Sequence, residues 1–95
     1  MEIVVYILYS KSVDRYYVGY SKDFDQRLKL HNDKIFGHSY TLRANDWKLY
    51  YKMICNSIVQ ARRVESHIKN MKSRIYIENL LLYPEIGNRL LKKYV

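Results

Sequence analysis

The sequence predicts a mixed α/β (α+β) fold in which a small three-stranded antiparallel sheet is flanked by helices. Two β-rich runs, Ile3–Tyr9 and Tyr16–Tyr20, stand either side of a short polar stretch. From Ser57 onward apolar residues recur at helical spacing. A length of 95 residues leaves room for one core, so residues 1–95 are read as a single domain.

Ile3-Val4-Val5-Tyr6-Ile7-Leu8-Tyr9 is β-branched and aromatic without clean alternation, the pattern of a central strand covered on both faces. Lys11 to Arg15 closes a hairpin onto Tyr16-Tyr17-Val18-Gly19-Tyr20. Pairing Tyr6 with Tyr17 across that hairpin would send both phenols out of one face. Gly19, lacking a Cβ, is expected to let the chain turn tightly from strand to helix. Ser21 or Asp23 caps a helix running to about Asn32, with Phe24 and Leu28 on its buried stripe. At about 100° per residue, Arg27 and His31 fall together along one border of that stripe. Asp33 to Asp46, with Gly37, reads as a loop, and Trp47 to Ile54 as a third strand.

Ser57 caps a helix whose Ile58, Ala61, Val64, Ile68 and Met71 cluster on one face. Glu65 lies about 70° from the centre of that cluster, at the border between core and surface. Ser73 caps a further helix containing Ile77 and Leu80 to Leu82, which Pro84 ends. The remaining tail is expected to add a last turn of helix with Leu90 and Leu91 packed down.

Hydrophobic residues make up 48% of the chain and charged residues 27%, the composition of a folded globule and not of a disordered segment. Seventeen Lys and Arg against nine Asp and Glu give a net charge of +8, which favours a polyanionic partner. Residues 61–95 carry eight of those cations against three carboxylates, so the C-terminal helical part is the expected contact face. A single Cys55 excludes an internal disulfide, and no paired Cys/His spacing offers a zinc site, so a reducing cytoplasm is the default compartment. The apolar run Ile3–Leu8 is too short to span a membrane and has no basic region before it, so neither anchor nor signal peptide is expected.

With these residues placed, the chain resembles the GIY-YIG nuclease superfamily, most closely its small single-domain bacterial branch. It is also similar to the nuclease domain of the excision-repair incision subunit. The match runs from about Val4 to Asn79. The first signature tripeptide stands here as Val4-Val5-Tyr6 and the second as Tyr17-Val18-Gly19. Arg27 matches the family's helix arginine, His31 the histidine that some branches place one turn later, and Glu65 the metal-binding glutamate. Val4 replaces the family's first glycine, and Tyr20 stands where the related repair domain usually has lysine. Asn79 is the nearest match to an asparagine found near the end of many members.

The resemblance implies hydrolysis of DNA phosphodiester bonds, in repair or recombination, with one divalent cation, Mg²⁺ or Mn²⁺, at Glu65 and no organic cofactor. The residue types suit that chemistry. A lone carboxylate suits Mg²⁺, which keeps most of its waters. Arg27 offers a forked cation to phosphate oxygens, and His31 can bond or relay a proton to a tyrosine oxygen. Tyr6 or Tyr17, with a usual pKa of about 10, accepts a proton only if nearby cations lower that value. Each residue also has an ordinary reading: strand tyrosines pack, surface arginines are solvated, and Glu65 is spaced to pair with Lys69. Order, spacing and shared faces favour one cleft. The alternative is a catalytically inactive nucleic-acid-binding module of the same fold; a protein-interaction scaffold is a weaker third.

Overall fold

The computed structural model describes residues 2–33 and 44–95. Seven elements follow in order: β1 (Ile3–Ser10), β2 (Arg15–Ser21), α1 (Phe24–Asp33), β3 (Lys48–Cys55), α2 (Ile58–Met71), α3 (Arg74–Leu82) and α4 (Pro84–Lys93). The strands form one antiparallel sheet in the order β2-β1-β3. β1 is central as expected, and Val4 through Leu8 are all buried. Val5 and Ile7 point to the face covered by α2, α3 and α4, where they join Met53, Val64, Ile68, Leu80 and Leu90. Val4, Tyr6 and Leu8 point to the other face, against Trp47, Phe24 and Leu28.

The hairpin register corrects one expectation. Tyr6 stands opposite Gly19, and Tyr17 opposite Leu8. The turn takes residues 11–14, with Asp14 in the left-handed region at φ 51°, and that length fixes the pairing. Because the offset is two residues, Tyr6 and Tyr17 still leave the same face, as diagonal neighbours. Asp14 also accepts bonds from Tyr9 Oη and Arg74 Nη2, both at 2.5 Å, which tie the turn to α3.

α1 is capped by Asp23, whose Oδ1 accepts from the Gln26 N–H, while Ser21 Oγ braces the Asp23 N–H. Its far end is fixed by Asn32, whose side chain accepts from the Trp47 N–H at 2.8 Å and donates to the Trp47 carbonyl at 3.0 Å. Both backbone groups of Trp47 are thereby taken, and β3 starts one residue later than the sequence reading had it. Asn32→Ala would leave both groups without these partners, and we expect a loss of about 2 kcal/mol. The measurement is a lower urea midpoint at unchanged slope. Of the Asp33–Asp46 loop expected from sequence, residues 34–43 lie outside the described residues.

Ser57 caps α2 and Ser73 caps α3, each accepting a backbone N–H three residues on at 3.1 Å. The buried face of α2 is Gln60, Ala61, Val64 and Ile68; Met71, expected inside, is 45% exposed because the helix ends there, with Lys72 turning left-handed at φ 47°. Buried Gln60 is satisfied at both ends of its amide, accepting from the Asn56 N–H and donating to the Leu91 carbonyl. The C-terminal tail is a full ten-residue helix instead of a last turn. Pro84 opens α4, Leu90 is buried, and Gly87 brings the helix close over β3, since a Cβ there would lie 2.5 Å from Tyr51 Oη.

Candidate active site

β1 places Tyr6 and β2 places Tyr17 on the sheet face that carries α1. Their ring centroids are 6.4 Å apart. Phe24 meets the Tyr6 ring edge-on at 5.3 Å, and Trp47 meets the Tyr17 ring at 6.5 Å, so neither phenol swings freely. Gly19 serves here differently from the sequence expectation. It lies inside β2 and no glycine has a positive φ among the described residues, so it makes no turn. Instead the Tyr6 ring crosses its backbone: a Cβ at Gly19 would stand 2.7 Å from Tyr6 Oη and 2.8 Å from Cζ.

Glu65 reaches this pair from α2. That helix packs Ala61, Val64 and Ile68 into the core on the opposite face of the sheet. Because β2 is an edge strand, a side chain on the border of α2 can come round it, and the Glu65 carboxylate acts on both phenols. Its side chain is only 15% exposed. Lys69, one turn on, holds Glu65 Oε2 at 3.5 Å and lies 5.8 Å from the Tyr17 ring centroid. The ion pair foreseen as an ordinary surface contact is therefore part of the cluster. Arg27, half-buried on α1, acts on both phenols from the other side.

Arg27 by itself does not bring either phenol below its usual value. Burial raises Tyr6 far above the usual phenol value, with further upward pushes from Tyr17 and Glu65, and Arg27 pulls back without prevailing. Tyr17 is raised for the same first reason, burial, then by Glu65, against the opposing pull of Arg27. Desolvation outweighs the cation. At neutral pH both phenols are hydrogen-bond donors. A raised folded value contributes stability fully below the unfolded pKa of about 10 and loses it as pH climbs toward the folded value. Tyr6→Phe is thus expected to move the alkaline unfolding midpoint upward in a circular-dichroism pH titration; an unchanged midpoint would show that the phenol ionises as readily in the folded chain.

The structure sets Tyr6, Tyr17 and Gly19 side by side, with Arg27 and Glu65 near enough to act on both phenols; of the five, Tyr17 lines the groove beside them and Arg27 lines a separate pocket with Tyr20 and Asp23. His31 lies on α1, but its side chain is outside the described residues. Asn79 lies on α3, partly buried, and does not line the groove beside the cluster. That groove, of about 640 Å³, runs along β2 and the α2–α3 junction and is lined by Arg15, Tyr17, Lys69, Lys72 and Arg74 among others. The place of Lys69 beside the phenols, and Arg15 as a groove cation, are not foreseen from sequence. The spacing of Lys69 from Glu65 was a signal for the first; Arg15 joins Lys72 and Arg74 only through the fold.

Among the described residues no three His, Cys, Asp or Glu side chains form a metal cluster. A divalent ion here would take one protein carboxylate, Glu65, beside two phenol oxygens. That all-oxygen set fits a hard, largely hydrated ion such as Mg²⁺.

A family model described as the GIY-YIG catalytic domain matches residues 2–78. Among solved structures, the chain is similar to the solution NMR structure of a UPF0213 protein from Bacillus halodurans, with 31% identity, a TM-score of 0.53, and coverage of 93% of this chain and 94% of that one. No curated protein matches. Among the described residues no helix is long and apolar enough to cross a membrane.

Proposed function

The chain belongs to the GIY-YIG nuclease family, and on that premise we propose that it is a metal-dependent endonuclease hydrolysing DNA phosphodiester bonds, in repair or recombination. The observation that carries the reading is convergence: Arg27 from α1 and Glu65 from α2 both act on the phenols of Tyr6 and Tyr17. These are the cation, the metal-holding carboxylate and the proton-handling groups that the reaction needs.

Hydrolysis adds a water oxygen to phosphorus while one ester P–O bond breaks, so a proton leaves the water and the departing oxygen gains one. Arg27 pairs with the non-bridging oxygens as negative charge builds on them. Tyr17, neutral and on the wall of the groove, donates to a phosphate oxygen and orients the scissile group, with Tyr6 packed behind it. Glu65 would hold the divalent ion, which supplies positive charge against the phosphate and the departing oxygen. Once the Glu65 charge is balanced, one of the groups raising both phenols is cancelled while Arg27 still lowers them. That makes it easier for a phenol to release its own proton to solvent, and the phenolate so formed can take the proton from the attacking water. His31 is assigned the hydrogen bond that steadies a tyrosine oxygen. Val4, in place of the family's first glycine, is a buried core residue, so the departure removes no functional atom.

The test incubates nicked, branched and plain duplex DNA with Mg²⁺, with Mn²⁺ and with EDTA. Cleavage is expected only with an ion, and Arg27→Ala is expected to slow it by about 10². Absence of cutting in every ion, with salt-dependent DNA binding retained, would leave the inactive binding module as the better reading.

A further inference from the structure

We infer that α2 is a DNA-engaging helix whose exposed ridge enters the major groove of duplex DNA, with its two flanks against the two sugar–phosphate backbones. The inference deepens the nuclease reading, from which it takes the assignment of the Glu65 side to the strand that is cut.

The evidence is the distribution of side chains around α2. Ala61, Val64 and Ile68 bury one side. Opposite them, at about 100° per residue, Arg62, Ser66 and Asn70 form an exposed ridge. Arginine, serine and asparagine are donors and acceptors suited to base edges, and exposed Val59 adds one apolar side chain to the same crest at its N-terminal end. One flank, with Lys69 and Lys72, lines the groove beside the phenols. On the other flank Arg63 and His67, together with the ridge residues Arg62, Ser66 and Asn70, line a second groove of about 540 Å³ closed by Tyr94, whose hydroxyl bonds His67 Nδ1 at 2.9 Å. Neither groove has a carboxylate among its described lining residues. The helix carries Arg62, Arg63 and Lys69 against one carboxylate, Glu65.

Dimensions agree with this placement. A helix with its side chains is about 10 to 12 Å across, and the B-form major groove is about 12 Å wide, so cations on both flanks meet a phosphate row on each side. One backbone then runs along the β2 groove past Glu65, and the other lies over Arg63, where the site already described has no role for it. An A-form RNA duplex has a major groove too deep and narrow for the same insertion.

The test measures binding of the full chain in EDTA, where no turnover occurs, to a labelled DNA duplex, an RNA duplex of equal length and a single strand. Arg63→Gln and Lys72→Gln, both at exposed positions, are each expected to weaken DNA-duplex binding about tenfold near 0.1 M salt and to reduce the salt slope by about 1. The RNA duplex is expected to bind at least about tenfold more weakly. Wild-type duplex affinity in Arg63→Gln would overturn the inference, as would equal affinity for the two duplexes or tighter binding of the single strand. None of these outcomes touches the nuclease reading, which fails separately if cleavage survives loss of the Glu65 carboxylate.

Discussion

Glu65→Gln is expected to lower the cleavage rate by 10² to 10³ or about 3 to 4 kcal/mol of transition-state stabilisation, while melting and DNA binding in EDTA change little. The fold should tolerate the change, because the carboxylate pairs with Lys69, itself 46% exposed, in an i,i+4 ion pair of small worth to the fold. The informative part is a conflict of signs. Glu65 raises both phenols, so its neutralisation lowers them, and a spectroscopic tyrosinate titration should show ionisation beginning at lower pH in the variant. If phenol ionisation alone limited the reaction, Glu65→Gln would be the faster enzyme. A slower enzyme with more acidic phenols identifies the carboxylate itself as required, in keeping with a role in holding the ion. Unchanged cleavage would remove Glu65 from the site.

Gly19→Ala is expected to cost about 3 kcal/mol, lowering the melting temperature by roughly 15 °C, and to abolish cleavage in the part that still folds. The added methyl would stand 2.7 Å from Tyr6 Oη, 2.8 Å from Cζ and 3.1 Å from Tyr17 Cε1. Neither ring has an easy retreat. Tyr6 is 2% exposed with Phe24 on its edge, and Tyr17 has Trp47 on its edge. Overpacking of a closed aromatic site forces strained rotamers or a shift of β2, and either displaces both phenols from Glu65. Tyr6→Phe should not rescue the variant, because the ring carbon Cζ remains in the way. A Gly19→Ala protein with wild-type melting and wild-type cleavage would contradict the close approach that the structure shows.

Local rules made much of this readable beforehand. The buried run of β1, the Asp23, Ser57 and Ser73 caps and the border position of Glu65 follow from short-range pattern. What escaped depends on distant partners. Strand pairing slipped by two residues because the number of residues in the turn is decided by Asp14 and its bonds to Tyr9 and Arg74, the latter 60 positions away. Parity preserved the face of Tyr17 but not the meaning of Gly19, whose need for a bare Cα arises only once Tyr6 stands across from it. Whether Arg27 lowers the phenols was open at the level of sequence, which shows a neighbouring arginine but not how dry the ring is. The boundary of β3 depended on Asn32, which reads as the end of a helix until Trp47 is set beside it.

Trp47 gives the chain a built-in lamp. It is the sole tryptophan, it is 2% exposed, and its ring lies 6.5 Å from that of Tyr17. Its emission therefore comes from a dry, apolar setting, next to one of the two groups assigned to handle the proton. Whatever charges, moves or wets Tyr17 is felt by that indole, so light from the native protein reports on the proposed site without a dye or a label.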